Sequence, residues 1–167
     1  MPSASRIEIL LPELRAYARS VSDNLADADD LVQDAVERTL RTKSHPIEVD
    51  DLRPWMFRVI RNLNLDTLRK KKVRMEYSRA QSRLSIDLTQ SRDHANDVLV
   101  RMTFDKLPAP MREVLFLVDV MGMKYSEAAE VLEVPNGTVM SRVSRARRAL
   151  IEAMQTEDTG SHKDRSE

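Results

Sequence analysis

The chain has 167 residues and a formal net charge of zero, a length that fits one ordinary domain or two small ones. Its 41% hydrophobic and 32% charged residues describe a globular, well-solvated chain, and three glycines with 4% aromatics lean towards helix, because sheets favour turn glycines and β-branched or aromatic residues. The absence of cysteine excludes disulfides, thiolate metal sites and thiol redox sensing. With no apolar run long enough to span a bilayer and no basic-then-apolar N-terminus, membrane insertion is not expected and the cytoplasm is the expected compartment.

The charges are unevenly spread. Residues 1–50 carry six Lys/Arg against ten Asp/Glu, and residues 51–75 carry eight against two. An acidic lobe followed by a basic stretch points to two surfaces with different partners. His45, His94 and His162 stand apart in polar stretches. Without a metal-ligand cluster, a nucleophile–base pair or a phosphate-cradling glycine loop, no catalytic residue, metal or cofactor is expected.

In chain order, residues 7–22 read as an amphipathic helix with Pro12 near its start. Residues 25–41 give a second, in which Leu25, Ala28, Leu31, Val32, Ala35, Val36 and Leu40 recur at three- and four-residue steps. Its outer face carries Asp30, Gln33, Asp34, Glu37, Arg38 and Arg41. Residues 42–54, with two prolines, read as a loop. A third helix is expected over 54–72, with Pro54 in its first turn. Met56, Val59, Ile60, Leu63 and Thr67 form its apolar face, Arg58, Arg61, Asn62 and Arg69 lie opposite, and Trp55 sits at the edge. It runs out into Arg69, Lys70, Lys71, Lys72 and Arg74. Residues 76–95 lose the period and read as a linker. Helices follow at roughly 96–106, 110–121, 125–133 and 137–155, and the polar tail 156–167 is expected to be disordered. The fold class is all-α.

Residues 125–150 have the physics of a helix-turn-helix. Ala128 and Ala129 permit close helix approach, Val134 to Gly137 make the turn, Pro135 stops the first helix, and Asn136 is a candidate N-cap for the next. Val139, Val143, Ala146, Leu150 and Met154 form a stripe to be buried. Ser141, Ser144, Arg145 and Arg148 point the other way, with Arg142 and Arg147 on the flanks. Such a helix fits the major groove, its first turns at the bases and its later arginines on phosphates. The competing reading is an ordinary helical hairpin with a solvated basic face.

Taken together, ADADDLVQDAVERTL (26–40), LRPWMFRVIRNLNLDTLRKKKVR (52–74) and LPAPMREVLFLVDVMGMKYSEAAEVLEVPNGTVMSRVSRARRAL (107–150) resemble the extracytoplasmic-function sigma factors, minimal sigma-70-type initiation subunits of bacterial RNA polymerase. The resemblance covers about residues 8–155. It implies two small helical domains joined by a flexible linker: a sigma-2-like domain over 1–75, the linker 76–95, and a sigma-4-like helix-turn-helix domain over 96–155. It also implies core RNA polymerase and promoter DNA as partners, together with an anti-sigma factor. Asp30, Gln33, Asp34 and Glu37 correspond to the face that docks on core polymerase.

By the same resemblance, residues 52–74 recognise and melt the minus-ten element, a role in which bases leave the stack. The loop 44–53 is placed to hold a flipped base. Arg53, Arg58, Arg61 and Asn62 are the contacts expected there, Trp55 either packs in the core or stacks on a base, and Arg69, Lys70, Lys71, Lys72 and Arg74 bind phosphates. In the second domain, Thr138, Met140, Ser141, Arg142, Arg145 and Arg148 are the minus-thirty-five contacts. Met140 stands where many members carry Arg or Lys, and Met cannot make bidentate hydrogen bonds to guanine. Lys124 stands where a capping serine is usual, so Ser126 is expected to cap the helix. Two alternatives to a stress-type sigma factor follow from the residues: a stand-alone helix-turn-helix regulator, which leaves residues 52–74 idle, and an adaptor that mimics a sigma factor without touching DNA.

Overall fold

The computed structural model of the chain describes residues 3–79 and 103–161, and the regular structure among them is all helical. These residues gather into two compact units. One takes in the described residues up to 79 together with Ser126–Val134; the other takes in those from 103 to Tyr125 and from Pro135 onward.

Three helices make the body of the first unit: α1 (Ser3–Val21), α2 (Leu25–Arg41) and α3 (Val49–Arg79). On α1, Ile7, Leu10, Leu14, Tyr17 and Ala18 recur at helical spacing and are buried. This helix starts four residues before the expected start, so Pro12 lies in its interior, on the exposed side where water can replace the missing backbone bond. Asn24 caps α2: the Asp27 amide donates to Asn24 Oδ1 at 2.8 Å, and Asn24 Nδ2 donates back to Asp27 Oδ2 at 3.2 Å.

The buried stripe of α2 is Ala28, Leu31, Val32, Ala35 and Thr39. It therefore differs from expectation at both ends, because Leu25 and Leu40 are more than half exposed. Thr39 takes the inward position because it lies four residues beyond Ala35, one turn on. Its hydroxyl donates to the Ala35 carbonyl at 2.7 Å and so enters the core satisfied.

Helix α3 begins five residues before Pro54, with Asp50 and Asp51 in the first turn, where the helix dipole favours them. The loop before it is correspondingly short, residues 42–48. Leu52, Met56, Phe57 and Ile60 are buried. Phe57 meets Tyr17 with ring centroids 4.8 Å apart, and burying a side chain of this size contributes about 1.5–3 kcal/mol. Thr67, expected inside, is half-buried and donates to the Leu63 carbonyl instead. The helix takes in the first four residues of the expected linker; residues 80–95 of it lie outside the described residues.

The second unit opens with a helical turn at 103–106, and the rest of the helix expected over 96–106 falls outside the described residues. Helix α4 (Ala109–Leu115) runs into a π turn, Phe116–Val120, closed by the Met121 amide on the Phe116 carbonyl at 2.8 Å. Gly122 then turns the chain with φ of 64°, and Met123 re-enters the core. Next in the chain is helix α5 (Tyr125–Leu132), which from Ser126 onward gathers with the first unit; Ala128, Val131 and Leu132 are buried.

Helix α6 (Asn136–Ser161) buries Val139, Val143 and Ala146; Leu150 and Met154 are half-buried. Asn136 is the first helical residue rather than the cap. The amides of Thr138 and Val139 both bond to the Pro135 carbonyl, so Pro135 stands at the cap. The helix continues six residues beyond the expected end at 155, and residues 162–167 of the expected tail lie outside the described residues.

Candidate nucleic-acid interface

Two surfaces carry the candidate residues, one in each unit. On α3 the helical period sorts the basic residues. Positions 58, 62, 65, 69 and 72 recur on the side away from Leu52, Met56 and Ile60, so Arg58, Asn62, Arg69 and Lys72 form one outer row. Arg58 and Asn62 are half-buried; Arg69, Lys70, Lys72 and Arg74 are exposed. Arg69 makes a within-helix pair with Asp66 at 3.2 Å, an exposed contact that a phosphate can replace. Arg61 is half-buried at the edge of the row.

Two expected DNA contacts have acidic partners on neighbouring elements. Arg53 donates through Nε to Glu13 Oε2 at 2.6 Å, and its guanidinium stands 5.9 Å from the Phe57 ring centroid. It ties α3 to α1. Lys71 donates to Asp27 Oδ2 at 3.0 Å and Asp23 Oδ2 at 3.1 Å, tying α3 to the N-terminus of α2. The hydrogen bonds to Asp27 and Asp23 raise the Lys71 pKa above its ordinary value. Trp55 is half-buried beside His45 of the preceding loop, ring centroids 6.3 Å apart.

The α6 surface is built differently. Chain order gives α5, three residues, then α6. Glu133 adopts a left-handed conformation with φ of 54°, and the Val134 amide bonds back to the Ala129 carbonyl at 3.1 Å, a Schellman-type close. Helix α5 begins at Tyr125, so Lys124 precedes its first residue and Ser126 lies in its first turn. On α6 itself Met140, Ser141, Ser144, Arg145 and Arg148 are exposed, while Thr138 and Arg142 are half-buried. The Ser141 hydroxyl donates to the Thr138 carbonyl at 3.0 Å. Arg145 donates to the Ser141 carbonyl at 3.3 Å and to its hydroxyl at 3.4 Å. Arg147 makes a bidentate pair with Asp119 of the π turn, Nε to Oδ2 at 3.1 Å, which raises its pKa further.

An exposed Ser/Arg face on a helix that follows a tight turn, with a second basic helix elsewhere in the chain, fits nucleic acid. Comparison with known proteins decides the class. Residues 7–74 match sigma-70 region 2 and residues 97–150 match sigma-70 region 4. The ECF RNA polymerase sigma factor EcfG of Rhodopseudomonas palustris is 35% identical over 141 residues, 84% of this chain and 78% of that protein. SigM of Mycobacterium tuberculosis is 30% identical over 148 residues, 89% of this chain and 74% of that protein. Among solved structures, the sigma factor RpoE in complex with the anti-sigma factor NepR from Bartonella quintana superposes with a TM-score of 0.70 at 28% identity, covering 91% of this chain and 96% of that one. This chain belongs to the ECF sigma factors.

In this sigma factor, Asp30, Gln33, Asp34 and Glu37 are all exposed on α2, with Gln33 donating to Glu37 at 3.3 Å and Arg41 pairing with Glu37 at 3.5 Å. Asp30 and Asp34 also line a small groove of about 200 Å³ together with Asp23, Asp27, Asn64 and Lys71. Sequence reasoning missed the residues that hold these surfaces in place: Glu13, Asp23 and Asp27, Asn64, which donates to the Val21 carbonyl at 3.1 Å, and Asp119. Each is a short polar contact across 28 to 48 residues of chain, which local periodicity does not register. Among the described residues no helix is long and apolar enough to cross a membrane.

Proposed function

We propose that this ECF sigma factor binds core RNA polymerase through the exposed α2 face of Asp30, Gln33, Asp34 and Glu37, and recognises two promoter elements. The outer row of α3, with Arg58, Arg61, Asn62, Arg69, Lys70 and Lys72, engages the minus-ten element and stabilises its unpaired strand. Trp55 borders that row, while Arg53 and Lys71 orient the helix through their pairs with Glu13 and with Asp23 and Asp27. The first turns of α6, with Thr138, Met140, Ser141, Arg142, Arg145 and Arg148, read the minus-thirty-five element. The sigma-2-like domain spans 1–75 and the sigma-4-like domain 96–155, with the intervening linker giving the contour length to reach both elements.

The protein makes no bonds. It acts in the cytoplasm on a stress-type regulon by supplying binding energy that positions polymerase. An anti-sigma factor restrains it, as NepR is bound to the similar RpoE. The observation that carries this reading is the match to both sigma regions in order, with an exposed Ser/Arg face in the second.

Dependence on core polymerase tests it. Promoter DNA is expected to be bound tightly by the core–protein complex and poorly by the protein alone. Tight operator binding by the protein alone, as a dimer, is the behaviour of a stand-alone helix-turn-helix regulator and would overturn the reading.

A further inference from the structure

Met140 and Ile151 are exposed large apolar residues of α6, and Met140 is the one in its N-terminal turns. It is the fifth residue of the helix and 55% exposed, among Ser and Arg neighbours. It adds nothing to the core, which Val139 and Val143 fill at 0% and 1% exposure. Met140 therefore stands exposed in the N-terminal turns of α6, the part of such a helix that meets base edges. Its polar neighbours are already engaged, Ser141 with the Thr138 carbonyl and with Arg145.

Of the groups presented in the major groove, the thymine C5-methyl is the one an unbranched thioether matches best; it has no donor for guanine, no paired donor and acceptor for adenine, and its sulfur is only a weak acceptor for the cytosine amino group. We infer that Met140 is a specificity-determining residue that selects a thymine methyl in the upstream promoter element. This rests on α6 being the reader of that element. Met140 also forms the rim of a shallow groove of about 540 Å³ with Tyr125, Val143 and Ile151, so contact with a protein instead of DNA is an outcome that the test must separate.

The test is a methyl scan with the holoenzyme, full chain plus core polymerase. Each thymine of the upstream element, on both strands, is replaced in turn by deoxyuridine, which removes the methyl and leaves pairing intact. One position is expected to lose about fourfold in binding, the worth of one buried methylene-sized group. Met140→Ala is expected to lose a similar factor on normal DNA and to be insensitive to deoxyuridine at that position. Met140→Leu, which keeps an apolar side chain, is expected to stay sensitive.

A methyl effect that persists unchanged in Met140→Ala overturns the assignment, as does full binding by Met140→Ala with no methyl-sensitive thymine. A Met140→Ala defect that appears equally on DNA lacking the upstream element assigns the side chain to a protein contact and also overturns it. Failure of the holoenzyme to discriminate the upstream element at all overturns the reading of α6 itself, a separate result from loss of methyl sensitivity alone.

Discussion

Lys71 and Lys72 are neighbours in sequence and differ in what holds them. Lys71 points to Asp23 and Asp27, while Lys72 stands exposed on the outer row of α3. Lys72→Ala is expected to lower the slope of promoter affinity against salt by about 0.7–0.9, the worth of one phosphate contact, without changing thermal stability. Lys71→Ala is expected to leave that slope nearly unchanged and to lower stability by about 0.5–1 kcal/mol, the upper end for an ion pair that is half exposed and screened by solvent. The paired salt titrations and melts check both, and a full slope change in Lys71→Ala contradicts the assignment. Because the Lys71 pKa is raised on folding, its contribution is complete below the unfolded lysine value and is lost only as pH rises through the folded value. Lowering the pH from 9 to 6 therefore leaves the lysine's side of this pair intact. The sequence presents Arg69 to Lys72 as one uniform run, and only the helical phase together with two aspartates 44 and 48 residues away separates them.

At the scale of elements, what was legible followed periodicity. Ala28, Leu31, Val32 and Ala35 of α2 and the inner face of α6 through Ala146 appear as apolar residues at three- and four-residue steps and are buried, whereas Leu25 and Leu40 at the ends of the α2 stripe are exposed. Boundaries were less legible. Proline reads as a helix start, yet Pro12 and Pro54 both lie inside helices. The expected cap at Asn136 is displaced by one residue because the Pro135 carbonyl already accepts the first bonds. The π turn at Phe116–Val120 has no periodic signature. The close of α5 holds a strained residue, since Glu133 occupies a left-handed conformation that favours glycine or asparagine. Glu133→Gly is expected to stabilise the fold by about 0.5–1 kcal/mol, because relief of the left-handed strain outweighs the added freedom of the unfolded chain. Denaturant titration measures it, and a loss of stability would show that the Glu133 side chain contributes more than its backbone strain removes.

At the scale of the molecule, the sequence motifs are meaningful as a set. The α2 acidic face by itself is an ordinary solvated surface, and the α6 face by itself is an ordinary basic one. Their order and separation, with the basic α3 between them, match region 2 and region 4 of one family of initiation subunits. The same logic makes function a property of the assembly, since positioning polymerase requires both regions to act on one promoter. The most direct measurement is run-off transcription with purified bacterial core polymerase on a pool of genomic promoter fragments, with and without this protein. Specific transcripts that appear only when the protein is present, and share two upstream elements, are the predicted result. No protein-dependent transcripts, together with tight DNA binding by the protein alone, would contradict the account.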